Sequence, residues 1–93
     1  MIKIIATLLT FFAFNVSHAK VNVGIILGFT GPIETLTPGM SAGAELAFNE
    51  AADSGKLLNG QGINIIKVDS TCVDSAAATS AAESLISQGV TAI

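Results

Sequence analysis

The feature that most constrains the fold is a run of β-favouring residues over positions 21–28, most of them Val, Ile or Leu. A strand with one solvated face alternates apolar and polar residues, whereas a nearly continuous apolar run is typical of a strand covered on both faces. Such strands belong to parallel sheets. Gly28, Gly31 and Pro32 end the run and predict a loop that reaches Thr37.

A first helix is predicted after this loop. Thr37 is the expected N-cap, and Pro38 stands at the first helical position, where a missing N–H is tolerated. Gly55 supplies the stop signal. Apolar residues at helical spacing define the face expected to pack on the sheet: Met40, Ala44, Ala47, Phe48 and Ala51. Polar residues define the face expected to be solvated: Ser41, Glu45, Asn49 and Asp53.

A second strand is predicted over residues 63–68, less buried than the first because it contains Asn64 and Lys67. After a loop, Asp74 is the expected N-cap of a second helix and Gly89 its C-cap. The helix carries an apolar stripe suited to close packing on a sheet: Ala78, Ala81, Ala82, Leu85 and Ile86.

A third strand is predicted to open at residues 90–93. The order strand, helix, strand, helix, strand predicts an α/β fold with a doubly wound parallel sheet. Domains of this class usually contain five or more strands and roughly 120 residues. We therefore expect residues 20–93 to be an incomplete part of a longer domain.

Residues 1–19 have the pattern of an export signal. Lys3 supplies a positive charge, residues 4–14 form an apolar stretch, and small residues follow at both positions that a signal peptidase reads. Cleavage is predicted between Ala19 and Lys20. A membrane anchor is the alternative. However, a membrane-spanning helix needs about 20 apolar residues, and this stretch ends at Asn15.

The charge balance and the histidine content exclude several functions. Four basic residues stand against seven acidic ones, for a net charge of −3, which disfavours nucleic acid or an anionic membrane surface as a partner. The only histidine, His18, lies in the predicted signal, so residues 20–93 have no imidazole to activate a serine or bind a metal. We expect no catalytic residue, no metal site and no cofactor.

Asp69 is the residue closest to a nucleotide-binding pattern, because dinucleotide-binding folds keep an acid at the end of the second strand. However, Gly24, Gly28 and Gly31 do not form the G-x-G-x-x-G turn that binds phosphates. The preferred interpretation is that Asp69 is a loop acid that accepts hydrogen bonds from nearby backbone amides.

Cys72 is the one cysteine in the sequence. Oxidising compartments usually pair thiols, although a buried free thiol is common. Because Cys72 lies in a polar loop, we expect a disulfide partner beyond Ile93.

The sequence resembles the periplasmic branched-chain amino acid (Leu/Ile/Val) binding proteins of ABC importers. The resemblance covers essentially all of residues 21–93. It rests on the following segments: Phe29-Thr30-Gly31-Pro32, Gly39, Gly43-Ala44-Glu45-Leu46-Ala47, Asp69-Ser70-Thr71-Cys72-Val73-Asp74 with Ala76 to Ala78, Leu85-Ile86 and Gly89-Val90. It implies a type I periplasmic binding fold, with two α/β lobes, a hinge and a ligand enclosed between them. Residues 20–93 would be the first part of the amino-terminal lobe.

The resemblance also implies roles for individual residues. Leu36 occupies a position that often holds an aromatic near the ligand side chain, and Thr37 stands where the family often has glycine. Leu36 and Thr37 are therefore the candidate ligand-binding residues. Cys72 matches a cysteine that commonly pairs with one in the loop after the third strand. That loop also supplies the main ligand contacts, and it lies beyond Ile93.

The function implied is an exported, periplasmic solute-binding component of an ABC importer, not an enzyme. Its partners would be a small-molecule ligand, most simply a branched-chain or related amino acid, and a membrane permease. The alternatives are an amide, urea or aromatic-acid binder of the same fold, the ligand-sensing domain of a receptor, and a secreted α/β enzyme.

Overall fold

The computed structural model describes residues 20–93, in which two parallel strands form the sheet and a third segment joins it through one isolated bridge. Strands β1 (Val21–Leu27) and β2 (Ile63–Asp69) pair in parallel along their whole length. On the other side of β1, Val23 pairs with Ala92, and the Gly24 N–H donates to the Ala92 carbonyl at 2.8 Å. β1 therefore lies between β2 and the third segment. The first two predicted strands are confirmed, and each ends within one residue of its predicted carboxyl end. Over residues 90–93, where a third strand was predicted, only Ala92 pairs with β1.

Two helices follow the strands in sequence and cover opposite faces of the sheet. Helix α1 spans Thr37–Asp53 and helix α2 spans Ser75–Ser87, and a short 3-10 turn over Leu57–Gly60 precedes β2. Gly24 faces the α2 residue Leu85, whereas Lys67, the register partner of Ile25, forms an ion pair with the α1 residue Glu45. Because neighbouring strand residues point to opposite faces, the predicted doubly wound α/β arrangement is confirmed.

Buried apolar residues lie on both faces of the sheet. Ala81 and Leu85 of α2 are buried on one face, and Leu85 is completely inaccessible to solvent. Val23 and Ile25 of β1 are also buried, but they point to the opposite face, the one that α1 covers. β2 contains no fully buried residue, which agrees with the expectation that it is less buried than β1.

Both predicted ends of α2 are confirmed. The Asp74 carboxylate accepts hydrogen bonds from the N–H groups of Ala76 and Ala77, which would otherwise lack partners at the start of a helix. At the other end, Gly89 has a φ of +74°, and the Val90 N–H donates to the Leu85 carbonyl at 3.3 Å. This is the Schellman arrangement that glycine favours. The predicted stripe differs at Ile86, which is 66% exposed.

The start and the packed face of α1 differ from the prediction. Leu36 is the N-cap residue and makes no side-chain cap, while Thr37 is already helical and fully buried. Ser41, expected in solvent, is buried, and Met40, expected against the sheet, is 52% exposed. The reason is that the hydroxyls on this face find partners: the Ser41 hydroxyl donates to the Glu45 carboxylate at 2.8 Å.

Substitution by alanine should have opposite effects on stability at Gly24, which packs against α2, and at Gly43, which has open space around it. A Cβ on Gly24 would lie 2.5 Å from Leu85 Cδ1, so Gly24→Ala should lower the free energy of unfolding by about 1–3 kcal/mol. Gly43 lies in α1 with nothing within 4 Å of its Cβ position, so Gly43→Ala should raise that free energy by up to about 1 kcal/mol.

Denaturant unfolding of the full-length protein and of each variant measures both effects. Two changes of the same sign would contradict the packing described for Gly24.

Candidate functional site

The loops that follow β1 and β2 meet at the carboxyl edge of the sheet, where open α/β folds bind ligands. We call residues 28–36 the first loop and residues 70–74 the second loop. Gly31 has a φ of +94°, and a Cβ there would lie 2.6 Å from the Thr71 carbonyl oxygen. A Cβ on Gly28 would lie 2.8 Å from the Cβ of Cys72. The loops pack so closely that both positions need glycine.

The carboxylate of Asp69 joins the two loops. Its Oδ1 accepts hydrogen bonds from the N–H groups of Phe29 at 2.9 Å and Thr30 at 3.2 Å in the first loop, and of Thr71 at 2.9 Å in the second. Its Oδ2 accepts a hydrogen bond from the Thr30 hydroxyl. The interpretation of Asp69 as an acceptor for nearby backbone amides is confirmed at Thr71, whereas the bonds from the distant Phe29 and Thr30 were not predicted.

These donors favour the ionised form of Asp69. The hydrogen bond from the Thr30 hydroxyl contributes most, followed by those from the backbone amides of Thr71, Thr30 and Phe29, and together they lower the pKa of the Asp69 carboxyl. Partial burial opposes this change without reversing it.

The far end of the first loop is fixed by Thr37. Its hydroxyl donates to the Gly28 carbonyl at 2.6 Å, which closes the loop on its own beginning. Between these points, the Glu34 N–H donates to the Gly31 carbonyl and the Leu36 N–H donates to the Ile33 carbonyl. The loop is thus held at both ends and by turns within it.

The two candidate ligand-binding residues are adjacent in sequence but differ in environment. Leu36 is 64% exposed at the end of the first loop, whereas Thr37 is fully buried with its hydroxyl bound to backbone. Cys72 is exposed in the second loop and has a φ of +64°. Of the predicted cleavage pair, Lys20 is exposed, and Ala19 lies outside the described residues.

A groove between α1 and β2 was not anticipated from the sequence. It is open to solvent, has a volume of about 490 Å³ and contains an ion pair in which the Lys67 ammonium lies 2.9 Å from a Glu45 carboxylate oxygen. The hydrogen bonds from Lys67 and then Ser41 lower the pKa of Glu45. The available signal was Lys67 itself, which the alternation of β2 directs to the same face as Ile65. The groove is lined by Phe29, Pro38, Ser41, Ala42, Glu45, Leu46, Asn49 and Lys67.

The described residues can supply backbone and hydroxyl hydrogen-bond groups and an apolar side chain to a ligand. Over residues 20–93, no cluster of three His, Cys, Asp or Glu side chains is placed to hold a metal ion. Neither of the two helices in this region has the length and hydropathy needed to cross a membrane.

A family model for periplasmic binding proteins matches residues 20–93, which is the whole of the described region. The chain belongs to the periplasmic binding protein family. Comparison with curated proteins and with solved structures gives no significant match. Membership supports a solute-binding role with a small-molecule ligand, and it points to the periplasm and to a binder rather than an enzyme. The α/β arrangement described above agrees with this family's fold.

The lowered pKa of Asp69 predicts an acid-dependent contribution to the stability of this periplasmic binding protein. A carboxyl whose pKa is lower in the folded state stabilises that state above its unfolded pKa of about 3.9, and this contribution is lost as the pH falls through the folded value. Asp69→Asn should therefore lower the melting temperature at pH 7, and the difference from wild type should shrink as the pH approaches 3.

Thermal melts followed by circular dichroism across this pH range measure the effect in the full-length protein. A difference in melting temperature that stays constant with pH would show that the ionisation of Asp69 does not contribute.

Proposed function

We propose that the protein is the exported solute-binding component of an ABC importer and that it binds branched-chain or related amino acids. The observation that carries the proposal is the exposed Leu36 at the end of a doubly fixed loop, at the carboxyl edge of the sheet in a periplasmic binding protein. An aliphatic side chain there provides apolar surface for an aliphatic ligand.

We further propose that residues 20–93 begin the amino-terminal lobe of a two-lobed protein. Ligand would bind between the lobes, and closure about a hinge would be stabilised by contacts made only in the closed state. A membrane permease would then receive the ligand. In this arrangement Leu36 contacts the ligand side chain, and Thr37 contributes by fixing the backbone next to Leu36, because its own hydroxyl is already bound to Gly28.

Isothermal titration of the full-length mature protein tests the ligand class. L-leucine, L-isoleucine or L-valine should bind saturably, whereas acetamide, urea and benzoate should not. If one of the latter three binds and the amino acids do not, the protein is an amide, urea or aromatic-acid binder. If none of the six binds, the proposed ligand class is wrong.

Leu36→Ala should weaken binding of the amino acid about tenfold, because truncation removes apolar surface that the ligand would bury. Ile86→Ala is the matched control, since Ile86 is 66% exposed but lies on α2. Equal affinities for wild type and Leu36→Ala would remove Leu36 from the binding site.

We propose that residues 1–19 are a signal peptide removed between Ala19 and Lys20. Amino-terminal sequencing of the protein recovered from the periplasm should begin at Lys20. A product that begins at Met1 and fractionates with the membrane would contradict export by this signal.

We propose that Cys72 forms a disulfide with a cysteine shortly after the third strand. The loops after β2 and after the third strand emerge at the same edge of the sheet. Because β1 lies between these strands, the loop after the third strand would have to cross the end of β1 to bring the Cα atoms within the roughly 4.4–6.8 Å bridging range. Cys72 of the unreduced exported protein should resist maleimide, and mass mapping should identify its partner. Complete labelling of Cys72 without reduction would exclude the bond.

A further inference from the structure

We infer that Asp69 is a positioning residue for ligand binding, which holds the first and second loops as one unit and thereby sets the position of Leu36. This inference deepens the proposed function and rests on it. Asp69 ends β2, and both of its carboxylate oxygens accept hydrogen bonds from the loops, so its role is to hold the loops rather than to contact the ligand.

The hydrogen bonds to Asp69 come from fixed directions. Three N–H groups converge on one oxygen and a hydroxyl on the other, and these donors come from both loops. The nearest lysine along β2, Lys67, forms its ion pair with Glu45 instead. The charge of Asp69 is therefore balanced by oriented backbone dipoles, which fix the position of the loops more strictly than a flexible ammonium would.

The first loop transmits this constraint to Leu36. Asp69 fixes its beginning at Phe29 and Thr30, and Thr37 returns its end to Gly28. The turn bonds between these points leave Leu36 little freedom relative to the sheet. A preordered wall reduces the entropy lost when a ligand binds, so releasing one end of the loop should lower affinity even while the lobe stays folded.

Two conservative pairs of variants test the inference in the full-length protein. Thr30→Val removes the hydroxyl that donates to Asp69, whereas Thr30→Ser keeps it. Asp69→Asn removes the charge, whereas Asp74→Asn removes a charge from the second loop and keeps a good N-cap on α2. The measurements are the melting temperature, the affinity for L-leucine by isothermal titration, and amide hydrogen exchange without ligand.

Thr30→Val and Asp69→Asn should each raise the dissociation constant for L-leucine about tenfold, the size expected for a lost hydrogen bond to a charged group. They should also speed amide exchange at Phe29, Thr30 and Thr71 while leaving α2 protected. Thr30→Ser and Asp74→Asn should match wild type in both measurements. A lower melting temperature with unchanged affinity in the folded protein would make Asp69 merely structural and overturn the inference.

The exchange measurement also separates failure of this inference from failure of the proposed function. If wild type does not bind L-leucine, the proposed ligand is wrong. Exchange at the three amides still decides whether Asp69 holds the two loops together: unchanged exchange in Asp69→Asn would overturn its positioning role whatever the ligand.

Discussion

One carboxylate determines how the carboxyl edge of the sheet is built. Backbone N–H groups in loops usually donate hydrogen bonds to water, but those of Phe29, Thr30 and Thr71 donate to the Asp69 carboxylate. Two loops separated by a helix and a strand are thereby joined at the point where their strands end. The close contacts at Gly28 and Gly31 are possible only because of this convergence, since any side chain at either position would separate the loops.

The sequence predicted most of the fold because the relevant signals are local. Asp74 and Gly89 act on amides and carbonyls within a few residues of themselves, so both ends of α2 could be located without knowledge of the rest. The apolar run of β1 likewise indicates burial by itself. The packed face of α1 was predicted incorrectly because the hydroxyls of Thr37 and Ser41 are satisfied by groups that periodicity does not reveal.

The candidate site was less accessible to sequence reasoning. The role of Asp69 as an acceptor for amides followed from its place at a strand end, but its bonds to a loop about forty residues earlier depend on strand pairing. The groove beside Glu45 and Lys67 was missed for the same reason, since a pair of opposite charges on separate elements has no signature in the sequence. The candidate role of Leu36 came from the resemblance alone.

The order of the strands has a consequence for where a crevice can form. From β1 the chain moves to β2 on one side, then returns past β1 to Ala92 on the other. The connection after β1 passes over one face through α1, and the connection after β2 passes over the other face through α2. The strand order therefore reverses at β1, and such a reversal beside the third segment has the topology of a switch point. The first loop borders that opening, whereas the second loop lies one strand away from it. A ligand held at that opening would therefore lie next to the loop that carries Leu36, with the loop that carries Cys72 behind it.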